Sequence, residues 1–194
     1  MRITQIRKLD ISNGEGIGIS LFVQGCHFHC KGCFNAETWN FNGGKEWTHS
    51  LKEDFIRLAG NIHVNRVSLL GGEPLADENV DDIAALVGEM NHLYPDKSIW
   101  LYTGYTVDYI DKKYGFILKP SARDFVLKLP DYQIMEMSCK DQIRGEIISK
   151  CDVLVDGKYI DGLRDLTLKW KGSKNQRVID VQQSIAKGMI TLWE

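Results

Sequence analysis

Charge of one sign is what this sequence most plainly lacks. Its 24 Lys and Arg offset 26 Asp and Glu to a formal net charge of −2, which leaves no electrostatic case for nucleic acid. No apolar run approaches the length that spans a bilayer, so no membrane association is expected. Internal repeats, low-complexity tracts and Pro- or Ser-rich linkers are missing, which argues for a single domain over residues 1–194. The opening Met1–Lys8 is charged and has no apolar centre of the kind a secretory signal needs. Cysteine is sparse, five in 194 residues, and disulfides persist mainly in oxidising compartments. The expectation is a cytoplasmic protein with reduced thiols. What remains is 43% hydrophobic and 26% charged, an ordinary globular composition.

The sparse cysteines are not scattered. Cys26, Cys30 and Cys33 sit in Gly25–Asn35 with the spacing C-x3-C-x2-C, so three thiolates can converge from one short loop. Cys139 and Cys151 lie far downstream with no partner at ligand spacing, and read as free or buried thiols. Three protein ligands and one open position suit a reactive metal, because structural sites are usually closed. Thiolates favour an iron–sulfur centre over a hard cation. Two other readings stand beside it. Zinc would be closed by His27 or His29 joining the three cysteines, and Cys30-x-x-Cys33 would serve as a redox dithiol.

Patterning predicts an extended segment over residues 1–12 with Ile3, Ile6 and Leu9 inside, then a strand over Ile19–Val23. Asn13–Gly18 has the outline of a dinucleotide loop but leads into a strand, not a helix. It therefore reads as a turn, or as backbone close to a ligand. Ser50–Glu53 is a capping-box pattern opening a helix to about Ala59. Strands are predicted at Arg66–Leu70, Ser98–Tyr102 and Cys151–Gly157. Between the first two lies a helix capped by Asp77, with the stripe Val80, Ile83, Leu86, Val87, Met90 and Leu93. Thr106–Tyr114 reads as helical, 115–137 as an insertion-like connection broken by Pro120 and Pro130, and Ser138 as the cap of a helix to Lys150. Leu166–Trp170 and Val178–Val181 read as further extended segments, with a helical turn over Gln182–Lys187.

Such alternation predicts an α/β protein with a mostly parallel sheet, and ligand sites there gather beyond the C-terminal strand ends. The cysteine loop, Gly71-Gly72-Glu73-Pro74 and Thr103-Gly104-Tyr105 each follow a strand directly. All three are expected to share one rim. Gly71 and Gly72 would bring peptide groups close to a small ligand, Glu73 would orient the loop or bind an ammonium, and Pro74 would fix the exit.

The cysteine spacing, the strand-borne Gly-Gly-Glu-Pro and the β/α order together resemble the radical S-adenosylmethionine superfamily. Trp100–Tyr105, Asp152–Gly157 and Gly172-Ser173-x-Asn175-Gln176-Arg177 narrow the resemblance to the anaerobic ribonucleoside-triphosphate reductase-activating proteins. The resemblance implies a partial (β/α) TIM-like barrel. It also implies one 4Fe–4S cluster on Cys26, Cys30 and Cys33, with S-adenosylmethionine as co-substrate at the fourth iron. Gly32, Cys33 and Phe34 would flank that co-substrate. Gly71, Gly72, Glu73 and Pro74 would hold its methionine end, and Thr103 and Tyr105 would reach its nucleoside. Reductive cleavage to a 5′-deoxyadenosyl radical would then place a glycyl radical on the large catalytic chain of the reductase. A one-electron donor protein such as a flavodoxin would supply the electron. Where many superfamily members carry an aromatic residue before the third cysteine, this chain has Gly32, and the aromatic is Phe34. His27 and His29 would tune the cluster. The basic run Lys169, Lys171, Lys174 and Arg177 reads as a solvated face, while the resemblance implies a docking or ligand-orienting role for Gly172–Arg177. Asp156 is explained by a turn with Gly157. Against this stand an activase for another, formate-lyase-like glycyl-radical enzyme, and a zinc-binding interaction module.

Overall fold

The computed structural model describes residues 1–111, 115–118 and 139–194. Most of the expected insertion, with Pro120 and Pro130, and the Ser138 cap lie outside the described residues. In chain order the elements are β1 (Arg2–Asp10), β2 (Gly18–Val23), β3 (Lys45–Glu46), α1 (His49–Ala59), β4 (Arg66–Gly71), α2 (Val80–Leu93) and β5 (Ser98–Tyr102). There follow β6 (Val107–Asp111), β7 (Gly115–Leu118), α3 (Cys139–Ser149), β8 (Val153–Asp156), β9 (Arg177–Asp180), α4 (Val181–Lys187) and β10 (Thr191–Leu192).

Eight strands form one mixed sheet in the order β10-β9-β8-β5-β4-β2-β1-β3, and β6 and β7 form a separate hairpin. The central strands β2, β4, β5 and β8 are parallel neighbours. Antiparallel pairs extend the sheet on both sides. Among the described residues the sheet stays open and does not close into a barrel.

Alternation along each parallel strand sends side chains to two different environments. Leu21, Val23, Val67, Leu69, Ile99, Leu101 and Leu154 pack into the main core with Phe55 of α1, Ile83, Leu86 and Val87 of α2 and Ile147 of α3. Trp100 and Val153, paired across β5 and β8, face the other way and meet Val155, Tyr102, Trp170 and Trp193. The helices thus crowd one face, and the second face is left to loops and tryptophans. Arg66 ties one of those loops down. Fully buried, it donates to the carbonyls of Asp10, Asn13 and Glu15 and lies 3.6 Å from the Asp10 carboxylate. Asn13–Gly18 is therefore a turn strapped to the sheet.

Several local expectations are corrected. Leu9 is exposed while Ile3 is buried, because β1 shifts register twice against β2 and no single spacing survives. The cap of α1 is Thr48, whose Oγ1 accepts from the Leu51 N–H, and Ser50 lies inside the helix. Asn79, not Asp77, precedes α2; Asp77 pairs with Arg144, and Leu93 is exposed. Thr106–Tyr114 contains no helix among its described residues: Val107–Asp111 pairs with Gly115–Leu118. β-branched and aromatic residues suit that pleated pairing. Leu166–Trp170 is a run of turns, with Trp170 at φ 61°, and forms no strand.

Candidate functional site

A cleft of about 560 Å³ opens where β2, β4, β5 and β8 end. Cys26, Cys30, Cys33, Phe34, Gly71, Gly72, Glu73 and Thr103 all line it. The three loops expected on one rim are brought together. Gly32 and Pro74 stand behind that wall: Gly32 lies against Asp161, and Pro74 is buried.

All three cysteines are free, with Cys26 buried and Cys30 and Cys33 partly open to solvent. Burial, with the Glu73 charge nearby, pushes the Cys26 thiol up to about 12. Burial and the neighbouring Cys33 also raise Cys30. Thiols in this state become thiolates when a metal draws the proton off. His27 reaches Glu78 at 3.0 Å and its ring lies on Phe41, while His29 stacks on Trp39. Neither ring lines the cleft. Among the described residues no three His, Cys, Asp or Glu side chains are grouped to grip one metal ion. Three free thiols lining one cleft are a donor set that fits an iron–sulfur group.

The Gly-Gly-Glu loop has a structural reason that its sequence conceals. A Cβ on Gly72 would meet the Gly25 carbonyl oxygen at 2.3 Å, and Gly71 sits at φ +108°. The turns after β2 and β4 lie backbone against backbone, with the Glu73 N–H donating to the Gly25 carbonyl at 2.7 Å. Glu73 itself points inward. Its Oε1 accepts from the Leu75 N–H at 2.9 Å and the Thr103 hydroxyl at 2.8 Å, and its Oε2 from the Gly104 N–H at 2.7 Å. Complete burial pushes this carboxyl up to about 7, partly countered by those bonds. Of its two expected roles, orienting the loops is the one its partners occupy. Tyr105 does not line the cleft; it packs edge-on against Phe28 with Arg144 over its ring.

Other contributors follow β8. Lys158 and Tyr159 line the cleft, and the Lys158 ammonium sits 4.7 Å over the Phe28 ring. The same rule that found the other loops, one site per strand end, would have reached them. Tyr102 lines the cleft too, with a buried hydroxyl that has no hydrogen-bond partner among the described residues. Gly172–Arg177 is a clip for this loop. The Gln176 side chain accepts from the Gly172 and Ser173 N–H groups and donates to the Gly157 carbonyl, while Asn175 donates to the Lys158 carbonyl. Arg177 pairs with the buried Asp156, so that aspartate is an ion-pair anchor as well as a turn residue. Within the basic run only Lys171 lines the cleft, and its ammonium donates to the Gln176 carbonyl.

The model of the 4Fe-4S single cluster domain family matches residues 12–179. A protein of Salmonella typhimurium named anaerobic ribonucleoside-triphosphate reductase-activating protein is 36% identical over 180 residues, 92% of this chain and 97% of the relative. The chain belongs to this activating-protein family. The family member from Escherichia coli K12 is 34% identical over 180 residues, 92% of this chain and 97% of the relative. The member from bacteriophage T4 is 31% identical over 178 residues, covering 92% of this chain and 93% of its own. No helix among the described residues is long and apolar enough to cross a membrane.

Proposed function

We propose that this protein installs a glycyl radical on the large chain of anaerobic ribonucleoside-triphosphate reductase. The observation that carries the reading is the sharing of one strand-end cleft by three free cysteines and the Gly71-Gly72-Glu73 loop. Cys26, Cys30 and Cys33 would hold a 4Fe–4S cluster, leaving one iron for S-adenosylmethionine. Held by these three cysteines and reduced, such a cluster would supply the single electron for reductive cleavage of S-adenosylmethionine to methionine and a 5′-deoxyadenosyl radical, the species that would generate the glycyl radical on the reductase.

The chain's own work is to hold and orient. Cys33 and Phe34 would flank the co-substrate, with Gly32 setting the turn behind them, and peptide groups at Gly71 and Gly72 would meet its charged methionine end. Glu73 fixes the Thr103-Gly104 turn against the Gly-Gly turn, and its remaining lone pairs can accept from an ammonium. Pro74 sets the exit of that loop and Thr103 completes the wall. The whole of residues 1–194 acts as one domain on a partial (β/α) barrel frame. It works in the cytoplasm, with a small donor such as a flavodoxin supplying electrons.

Anaerobic loading with iron and sulfide should give a brown protein that cleaves S-adenosylmethionine when reduced and leaves a glycyl-radical signal on added reductase chain in electron paramagnetic resonance. Cys30→Ala should lose both the cluster and the cleavage. A colourless protein holding stoichiometric zinc would overturn the reading. A radical formed on a formate-lyase-like chain instead would reassign the partner.

A further inference from the structure

Large apolar side chains gather in the open at the cleft mouth. Phe34 is 52% exposed, Ile160 45%, Leu163 40% and Leu166 75%. Phe34 and Leu166 share the cleft lining, and Ile160 and Leu163 belong to the turn between the cleft residues Tyr159 and Leu166. Phe34 touches the Tyr159 ring at 5.2 Å and carries the Arg164 guanidinium at 5.1 Å, and the turn bearing Ile160 and Leu163 is bonded to residues 173 and 174. The fold does not need these side chains, since the 161–163 turn and the run after it bury none of them. Lone exposed apolar residues such as Ile62 are ordinary, but a contiguous group beside a cleft marks a contact surface.

Charge sharpens the reading. Between residues 157 and 177 the sequence carries six cationic residues against Asp161 and Asp165. Arg177 is paired with Asp156 and Lys174 lies 3.5 Å from Asp165, which leaves Lys158, Arg164, Lys169 and Lys171 in excess. Apolar side chains with Arg164 over Phe34 and Lys158 beside them in the cleft suit a partner that offers apolar side chains beside carboxylates.

We infer that Phe34 and the Ile160–Leu166 turn form the docking face for the reductase chain, receiving an apolar segment flanked by acidic residues. This rests on the proposed function. A glycine carried on a protein must reach the cleft, and Phe34 and Leu166 are part of its wall, so the incoming segment has to cover them. A second copy of this protein seated there would block that entry.

The test uses the cluster-loaded protein and the intact reductase chain. Leu163→Glu and Ile160→Glu, neither of which lines the cleft, should each weaken association at least tenfold, measured by sedimentation or calorimetry. Lys169→Glu with Lys174→Glu should weaken it several-fold, with the loss shrinking as salt rises. S-adenosylmethionine cleavage by dithionite-reduced variants, without reductase, should stay at the wild-type rate. Ile62→Glu, an exposed apolar site at the far end of β4, serves as the control and should change nothing. Unchanged association in the Leu163 and Ile160 variants would overturn the docking face while leaving the proposed function standing. So would a patch whose disruption only dissociates copies of this protein. A wild-type protein that neither binds nor activates the reductase would overturn both.

Discussion

Glu73 shows how one side chain can serve the site by serving the frame. Its carboxylate gathers three donors from two loops, and truncation would strand them in a dry interior. Glu73→Ala should cost about 3 kcal/mol, measured by urea unfolding of the metal-free chain, and Glu73→Gln should cost less because one acceptor remains. The sequence pointed to Glu73 by its place after a strand, but its partners Thr103 and Gly104 depend on how β4 and β5 sit side by side. Asp10 is a second such residue. Burial alone would push its carboxyl up, but hydrogen bonds from Asn13, Ser20 and Ser12 hold it down at about 2. A depressed carboxylate adds stability above its unfolded pKa and loses it as the folded pKa is approached. The difference in unfolding free energy between the wild type and Asp10→Asn should therefore include about 2 kcal/mol that fades between about pH 4 and about pH 2.

At the scale of elements, patterning found the parallel strands but misplaced several of their ends. The cap of α1 is decided by a single hydroxyl, Thr48 Oγ1, which accepts from the Leu51 N–H at 3.3 Å. Thr48→Ala should cost about 1 kcal/mol in thermal or urea unfolding, and Ser50→Ala almost nothing. The β6–β7 hairpin escaped the sequence because Thr106–Tyr114 mixes apolar and acidic residues at spacings that fit either period. Its position is fixed from outside. Asp156 at the end of β8 accepts from the Val107 N–H, and Arg177 at the start of β9 donates to both Asp156 and the Val107 carbonyl. Arg177→Met would leave the Asp156 carboxylate buried without its counter-charge. It should cost about 3 kcal/mol, and the double variant with Asp156→Asn should recover part of that loss.

For the whole molecule, the parallel central strands and the shared rim were legible because near-continuous apolar strands with intervening helices admit few arrangements. How far the sheet curls was not legible. That depends on how β1 and β3 at one edge and β9 and β10 at the other are added, and these strands are short or register-shifted. Hydrogen exchange should rank them accordingly, with amides of β4 and β5 slowest and those of β3 and β10 fastest. The loops over the second face were equally hidden, since Gln176 and Arg66 act through partners far away in the chain.

One asymmetry has a practical outcome. Cys26 is shielded, but Cys30 and Cys33 remain partly open to solvent. An iron–sulfur centre seated on them would meet dissolved dioxygen through that side first. In air the brown colour should bleach within a single exposure, and more slowly once the reductase is seated over the opening, as its visible absorbance would record.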